Sequence, residues 1–407
     1  MNHADRLERD LAVWFTETAM PSKPDYTDEI VREATRRRQR PRWTFAPAWA
    51  KGMFALPVAA GRTRIAWAAG VLVLVALAVA LAAVAIVASQ PKLPPPFGLA
   101  GNGLLAYAHG GDIYTFDPET GTQMAIVTGP DEDHDPRWSL DGRRVAFARE
   151  SPRGTRFGFV NADGGGLTVT TDALHDIDTD SIAWAPDSRA VAVAGAGDVR
   201  RAIFIVDATN GQIRLLPVEY TEFEVFWRPG IDRHLLFAGR SGSRAGLFLV
   251  SLADGSVRPL PASGDDPSVL RPLGWASDGK RFAYQGAAGS PDRAVIVDFA
   301  TGRETPLDVF RAQVSNDGRW LVGAATGRKS ASMCIVPIDG GACNPLGVDD
   351  QLPDFGTSAT LQWAPNDRWI VTYSPGSRAA WLVSRDGQAD DVSFRADGPA
   401  SWQRTAP

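Results

Sequence analysis

Carboxylates carry most of the chemistry open to this sequence. Asp131, Glu132, Asp133 and Asp135 stand together, as do Asp172, Asp176, Asp178 and Asp180. Smaller groups follow at Asp265 and Asp266, and at Asp349, Asp350 and Asp354. Clustered hard oxygens suit Ca²⁺, and a charge-patterned rim suits a protein partner. Basic residues are interleaved with these groups: Arg149 and Arg153, Arg200 and Arg201, Arg240 and Arg244, Arg328 and Lys329, and Arg378. The same residues therefore also fit a solvated rim of pairs worth about 0–1 kcal/mol each. The candidate partner-binding residues are Asp131, Asp133, Asp135, Asp176, Asp178 and Asp180; a resident metal is not expected. The five histidines, His3, His109, His134, His175 and His234, show no H-x-H or H-E-x-x-H spacing, and Gly239-Arg240-Ser241-Gly242 misses that of a nucleophile elbow. Neither an enzyme nor a cofactor is expected. Cys334 and Cys343 flank Asp339-Gly340-Gly341, and their spacing fits a bonded or a free pair equally.

Repeated strands must hold these loops. Trp138, Trp184, Trp227, Trp275, Val314, Trp363 and Trp402 average 44 residues apart, within the range of propeller blades. Around them recur PRWSLDG (136–142), IAWAPDS (182–188), VFWRPGI (225–231), LGWASDG (273–279), AQVSNDG (312–318) and LQWAPND (361–367). A short β-rich run follows each turn, then a second run ending in a Gly- or Asp-containing hairpin such as NADGG or DATNG. Four short strands per repeat cannot bury both faces of their sheet alone, but several sheets packed radially can. Residues 104–128 hold three strands with no Trp-type strand before them, and Ala400–Gln403 is a Trp-type strand with none after it. Joined, they complete one blade. The expected fold is therefore all-β: a seven-bladed propeller of four-stranded blades, closed by the C-terminal strand. Loops between blades and loops after each second strand share one face, which places the acidic groups together.

W-(S/A)-x-D-G before a V-A-F strand, then I-Y-x-x-D-x-x-T-G (113–121), resembles the TolB-like propeller repeat over nearly all of 100–405. Val314 in place of Trp and Pro229-Gly230-Ile231 in place of Asp-Gly depart from it. The resemblance implies a propeller of the kind found in partner-binding proteins and as covers of peptidase domains.

The chain before the propeller reads differently. Residues 65–88 hold no charge or strongly polar side chain, and as a helix of about 36 Å they would span a hydrocarbon core of ~30 Å. Residues 1–64 carry 12 Lys and Arg against 8 Asp and Glu; residues 89–407 carry 30 against 39. Positive charge stays inside, so the N-terminus is expected in the cytoplasm and the propeller outside the cell membrane. The acidic exterior argues against nucleic acid as a partner. Residues 89–99 read as a stiff, Pro-rich spacer that holds the propeller off the headgroups. Residues 5–20 predict a helix with Leu7, Leu11, Trp14 and Phe15 on one face, and a second helix should run from Asp25 to before Pro41. PDYTDEIV and RRRQRPRWTF before a single span resemble membrane-anchored anti-sigma factors of extracytoplasmic-function sigma factors. That resemblance implies a sigma factor as the cytoplasmic partner, held by Leu7, Leu11, Trp14 and Phe15. The zinc-type signature is missing, since 1–64 hold His3 and no cysteine. A second reading fits as well: a tethered scaffold whose basic run only holds anionic lipid.

Overall fold

Seven four-stranded antiparallel sheets make up residues 101–405. The computed structural model describes residues 67, 70–81, 94–175, 177, 181–196, 201–216, 218–230, 233–241, 243–262, 270–287, 290–325, 332–348, 360–387 and 389–406. The chain divides into two units at Ser89–Gln90. In the first, residues 70–81 are helical, and Val71, Leu72, Val73, Leu74, Leu77, Val79 and Leu81 are all exposed. No helix among the described residues is long and apolar enough to cross a membrane; these 12 residues would reach about 18 Å. Most of the remaining predicted span, both N-terminal helices, and Leu7, Leu11, Trp14 and Phe15 lie outside the described residues.

In the second unit, β1 (Gly101–His109), β2 (Asp112–Phe116) and β3 (Gln123–Val127) are completed into a blade by β28 (Ser401–Thr405). Blades 2 to 7 follow in chain order, spanning residues 133–169, 183–216, 219–259, 271–307, 309–345 and 360–395. Their first strands are β4 (Asp133–Trp138), β8 (Ala183–Trp184), β12 (Glu219–Trp227), β16 (Arg271–Trp275), β20 (Val309–Val314) and β24 (Thr360–Trp363). Each predicted anchor closes one of these strands or, as Trp402, sits in β28. The second and third strands are nearly continuous apolar runs, as a sheet covered on both faces requires. Seven hydrophobic clusters form, each joining two neighbouring blades: Leu105 and Trp402 meet Leu382 and Phe394 at blades 1 and 7, and Ala185 and Ile203 meet Trp227 and Phe237 at blades 3 and 4. The core is thus a set of inter-blade seams, and it runs unbroken around the ring.

The anchors do more than fill these seams. Trp184 donates its indole N–H to the carbonyl of Arg137 (2.9 Å), Trp227 to that of Ala183 (2.9 Å) and Trp363 to that of Gln313 (3.1 Å). In each case the acceptor immediately precedes the anchor of the blade before. One indole therefore staples two first strands together. The turn after each anchor completes the join. Its fourth residue takes the left-handed conformation at Gly142 (φ 68°), Gly279 (64°) and Gly318 (68°), where a side chain would be strained. Ser188 (φ 55°) and Asp367 (φ 56°) occupy the same place. Both use their side chains across the seam: Ser188 Oγ accepts from Asp141 N–H (3.1 Å), and the Asp367 carboxylate accepts from Asn316 and Asp317 N–H (2.8 and 2.7 Å).

Ring closure matches the expectation. Leu105 pairs with Trp402, Ala106 with Ser401, and Gly101 with Thr405. Gln403 binds on both sides, accepting from Leu104 N–H (3.1 Å) and donating to Gly142 O (2.7 Å), and Ser401 Oγ accepts from Trp138 N–H (3.0 Å).

In blade 6, Cys334 of β22 (Met333–Pro337) is bonded to Cys343, with Cα atoms 5.6 Å apart. The bridge closes the outer hairpin. For a loop of this length the chain-entropy model gives about 2–3 kcal/mol. Replacing both cysteines with alanine should therefore lower the denaturant midpoint. An unchanged midpoint would mean that the hairpin is held by its packing alone.

Candidate functional site: the channel and its acidic mouth

The first strands enclose a cavity of about 430 Å³ on the ring's axis. Side chains alternate along a strand, so the residue before each anchor faces away from the anchor's seam. Those residues are Arg137, Ala183, Phe226, Gly274, Gln313, Gln362 and Ser401, and all seven line the cavity. The wall is mixed, with Glu224, Thr360 and Tyr373 among its polar members and Leu273 and Leu361 among its apolar ones. Glu224 of β12 is paired with Arg271 at the start of β16, which ties blades 4 and 5 beside the channel. Gln313 already accepts from Trp363 N–H through its side chain (2.8 Å). No motif marks these channel residues; their signal is their position beside the anchors.

Each first strand runs from an inter-blade loop toward the turn after its anchor. The first acidic group, Asp131 to Asp135, therefore lies at one mouth of the channel and the S-x-D-G turns at the other. At the acidic mouth, Asp133 is buried and receives a two-pronged bond from Arg149, Nε to Oδ1 at 2.6 Å and Nη2 to Oδ2 at 2.7 Å. Asp131 Oδ2 lies 3.0 Å from Arg149 Nη1. His134 sits between Asp135 (Nδ1 to Oδ2, 2.8 Å) and Glu150 (Nε2 to Oε1, 3.0 Å). The structure thus gives Asp131 and Asp133 a shared partner in Arg149, and Asp135 a separate one in His134. Asp176, Asp178 and Asp180 lie outside the described residues. Arg149, expected in a loop, instead lies in β5 (Arg144–Ser151) directly opposite Asp133 of β4, whereas Arg153 in the turn after β5 is exposed. Among the described residues, no three His, Cys, Asp or Glu side chains are grouped to hold a metal ion.

The mouth carries backbone strain. β4 bulges between His134 and Arg137, and β20 between Phe310 and Gln313. At these bulges Asp135 and Arg311 both adopt φ 49°, a conformation costly for arginine. Bulges re-aim side chains at strand ends, and here they occur at the rim of the channel.

Burial opposes charge on His134, but the hydrogen bonds and charges of Asp135 and then Glu150 outweigh it and push its pKa up to about 9. A folded pKa above the unfolded one of ~6.5 stabilises the fold fully below pH 6.5, and that contribution is lost as pH rises through 9. Tyr107, pushed up to about 12 by burial and by Tyr114, stays neutral through this window. Melting temperatures read from pH 6 to pH 10 should fall more for the wild type than for His134→Gln. Parallel curves would show that the His134 network adds nothing to stability.

No family model matches this chain, and no curated protein sequence does. Among solved structures, the chain is similar to TolB from Acinetobacter baumannii at 16% identity, over 75% of this chain and 81% of that one, with a TM-score of 0.46. A TolB from Agrobacterium tumefaciens is similar at 14% identity, over 75% and 99%, with a TM-score of 0.40. An oligogalacturonate lyase from Vibrio parahaemolyticus is similar at 15% identity, over 70% and 89%, with a TM-score of 0.47. Such likenesses carry no function across. The seven closed sheets establish the architecture by themselves, and the chain is a seven-bladed β-propeller.

Proposed function

We propose that this chain is a membrane-anchored, non-enzymatic binding propeller that reports to a cytoplasmic regulator. The observation that carries this reading is the channel: every one of the seven blades contributes to its wall, and one of its mouths is framed by charged, strained backbone. The uncharged run 65–88 supplies the anchor. The Cys334–Cys343 bridge supports placing the propeller outside, in an oxidising compartment. Residues 1–64 are left as the output arm, with Leu7, Leu11, Trp14 and Phe15 as the face for a sigma factor in the manner of an anti-sigma factor.

The test uses the full-length, tagged chain purified from membranes. A sigma factor should co-purify with the wild type and fall about 30-fold with Trp14→Ala, the loss expected for a hot spot of ~2 kcal/mol. Arg9→Ala should change little. Absence of any sigma factor from the wild-type preparation overturns the regulatory arm.

A further inference from the structure

We propose that the channel mouth on the turn face is a peptide-binding site, occupied in cis by residues 94–99 of the same chain. By composition this Pro-rich run is a spacer standing clear of the propeller. Instead, its last residues are seated on the ring. Phe97 borders the axial cavity and also a second cavity of about 180 Å³ at the turn end, which Trp138, Trp275, Val314 and Trp402 help to line. Its ring packs against the seam of blades 3 and 4, whose members include Ala185 and Trp227. Two other attachments lie across the ring. Ala100 N–H donates to Pro365 O of blade 7 (3.0 Å), and Arg404 of blade 1 donates through Nη2 to Pro95 O (2.9 Å) and Gly98 O (2.8 Å). A segment held by blades 1 and 7 at its flanks and by blades 3 and 4 at its centre must cross the channel.

The site is built around a buried cation. Arg404 is 7% exposed. Its Nη1 leans on Asn316 Oδ1 (3.4 Å), and Asn316 in turn donates to Asp367 Oδ1 (2.8 Å) and Ala364 O (2.9 Å). Among the described residues, the remaining guanidinium bonds go to backbone carbonyls of the segment, and Nε has no partner. A buried charge needs such partners, so the mouth demands carbonyl oxygens from whatever fills it. The occupant supplies them cheaply: three consecutive prolines pre-set an extended backbone and lose little freedom on seating. Gly98 takes φ 91° with open space around its Cβ position, so it serves the bend rather than the fit. The recognised ligand is thus an extended Pro-Pro-Phe-Gly segment, read by two carbonyls and one aromatic ring.

The test asks whether the site accepts the same segment from outside. The probe is a fluorescent synthetic peptide, PKLPPPFGLA, titrated to 100 μM into the full-length chain in detergent. Three forms are compared: wild type; a chain with residues 94–99 replaced by alternating Gly and Ser; and that chain carrying Arg404→Gln as well. A tethered segment has an effective concentration in the millimolar range. The wild type should therefore bind the probe at least tenfold more weakly than the Gly-Ser chain. A peptide with Phe replaced by Ala should fail on both. Arg404→Gln should abolish binding; if that variant does not fold, the Phe-to-Ala peptide carries the specificity test alone. Hydrogen–deuterium exchange at the Ala100 amide, which donates to Pro365 O, should be slow in the wild type. Failure of the probe to bind a Gly-Ser chain whose melting temperature matches the wild type overturns the proposal. So does wild-type exchange at Ala100 as fast as in the free peptide.

Discussion

A chain lacking residues 399–407 loses its cooperative unfolding transition. The deletion removes Trp402, buried between blades 1 and 7, and a large-to-small change at such a residue alone costs about 3–5 kcal/mol. It also removes the β1–β28 ladder and the bonds from Ser401 and Gln403 to blades 1 and 2. Leu105 and Ala106, both fully buried, are then left on a bare strand edge. The summed loss is comparable to the whole stability of an ordinary domain, about 5–15 kcal/mol. Thermal scans of the deletion, with Trp402→Phe as a milder control, provide the measurement. A deletion chain that melts like the wild type would show that the ring closes without β28.

The anchor tryptophans separate into two classes when truncated. Trp227→Ala should cost about 3–5 kcal/mol, as should the corresponding change at any buried anchor. The discriminating series is Trp→Phe. At Trp184, Trp227 and Trp363 it leaves the carbonyls of Arg137, Ala183 and Gln313 without their indole donors. An orphaned buried acceptor costs about 1–3 kcal/mol. At Trp138, Trp275 and Trp402 the indole nitrogen is buried without a hydrogen-bond partner among the described residues, so Phe removes a liability along with some packing. The first three substitutions should therefore each lower stability by about 1–2 kcal/mol more than the second three. Equal losses across all six, read from denaturant midpoints, would reduce the staple to plain packing.

The ring was legible because its anchors are large, apolar and evenly spaced, and because the strand that residues 104–128 lack is found at Ala400–Gln403. Strand period and turn chemistry are local, so one sequence displays them. The site was only partly legible. Asp131, Asp133 and Asp135 were visible as a cluster, yet their binding of Arg149 and His134 depends on the pairing of β4 with β5 (Arg144–Ser151). The left-handed turn of Asp135 depends on a bulge that no residue pattern announces. Phe97 and Arg404 were invisible as a pair because about 300 residues separate them, and only ring closure brings them to one mouth. The proline run misled for a related reason: its stiffness suits a spacer and a seated ligand alike.

The closing seam has a mechanical character that its thermodynamics conceals. Gly101 lies opposite Thr405, and the register proceeds inward from there to Ala106 opposite Ser401. Tension between the stretch ahead of Gly101 and a load on the C-terminal end therefore acts on the seam as fingers act on a zipper. The pairs open in succession and never share the load as strands pulled lengthwise would. The grip of Arg404 on Pro95 and Gly98 lies just ahead of the first pair and is the first element to give way. The ring thus yields to a modest pull, and it yields first at the end where its linker enters.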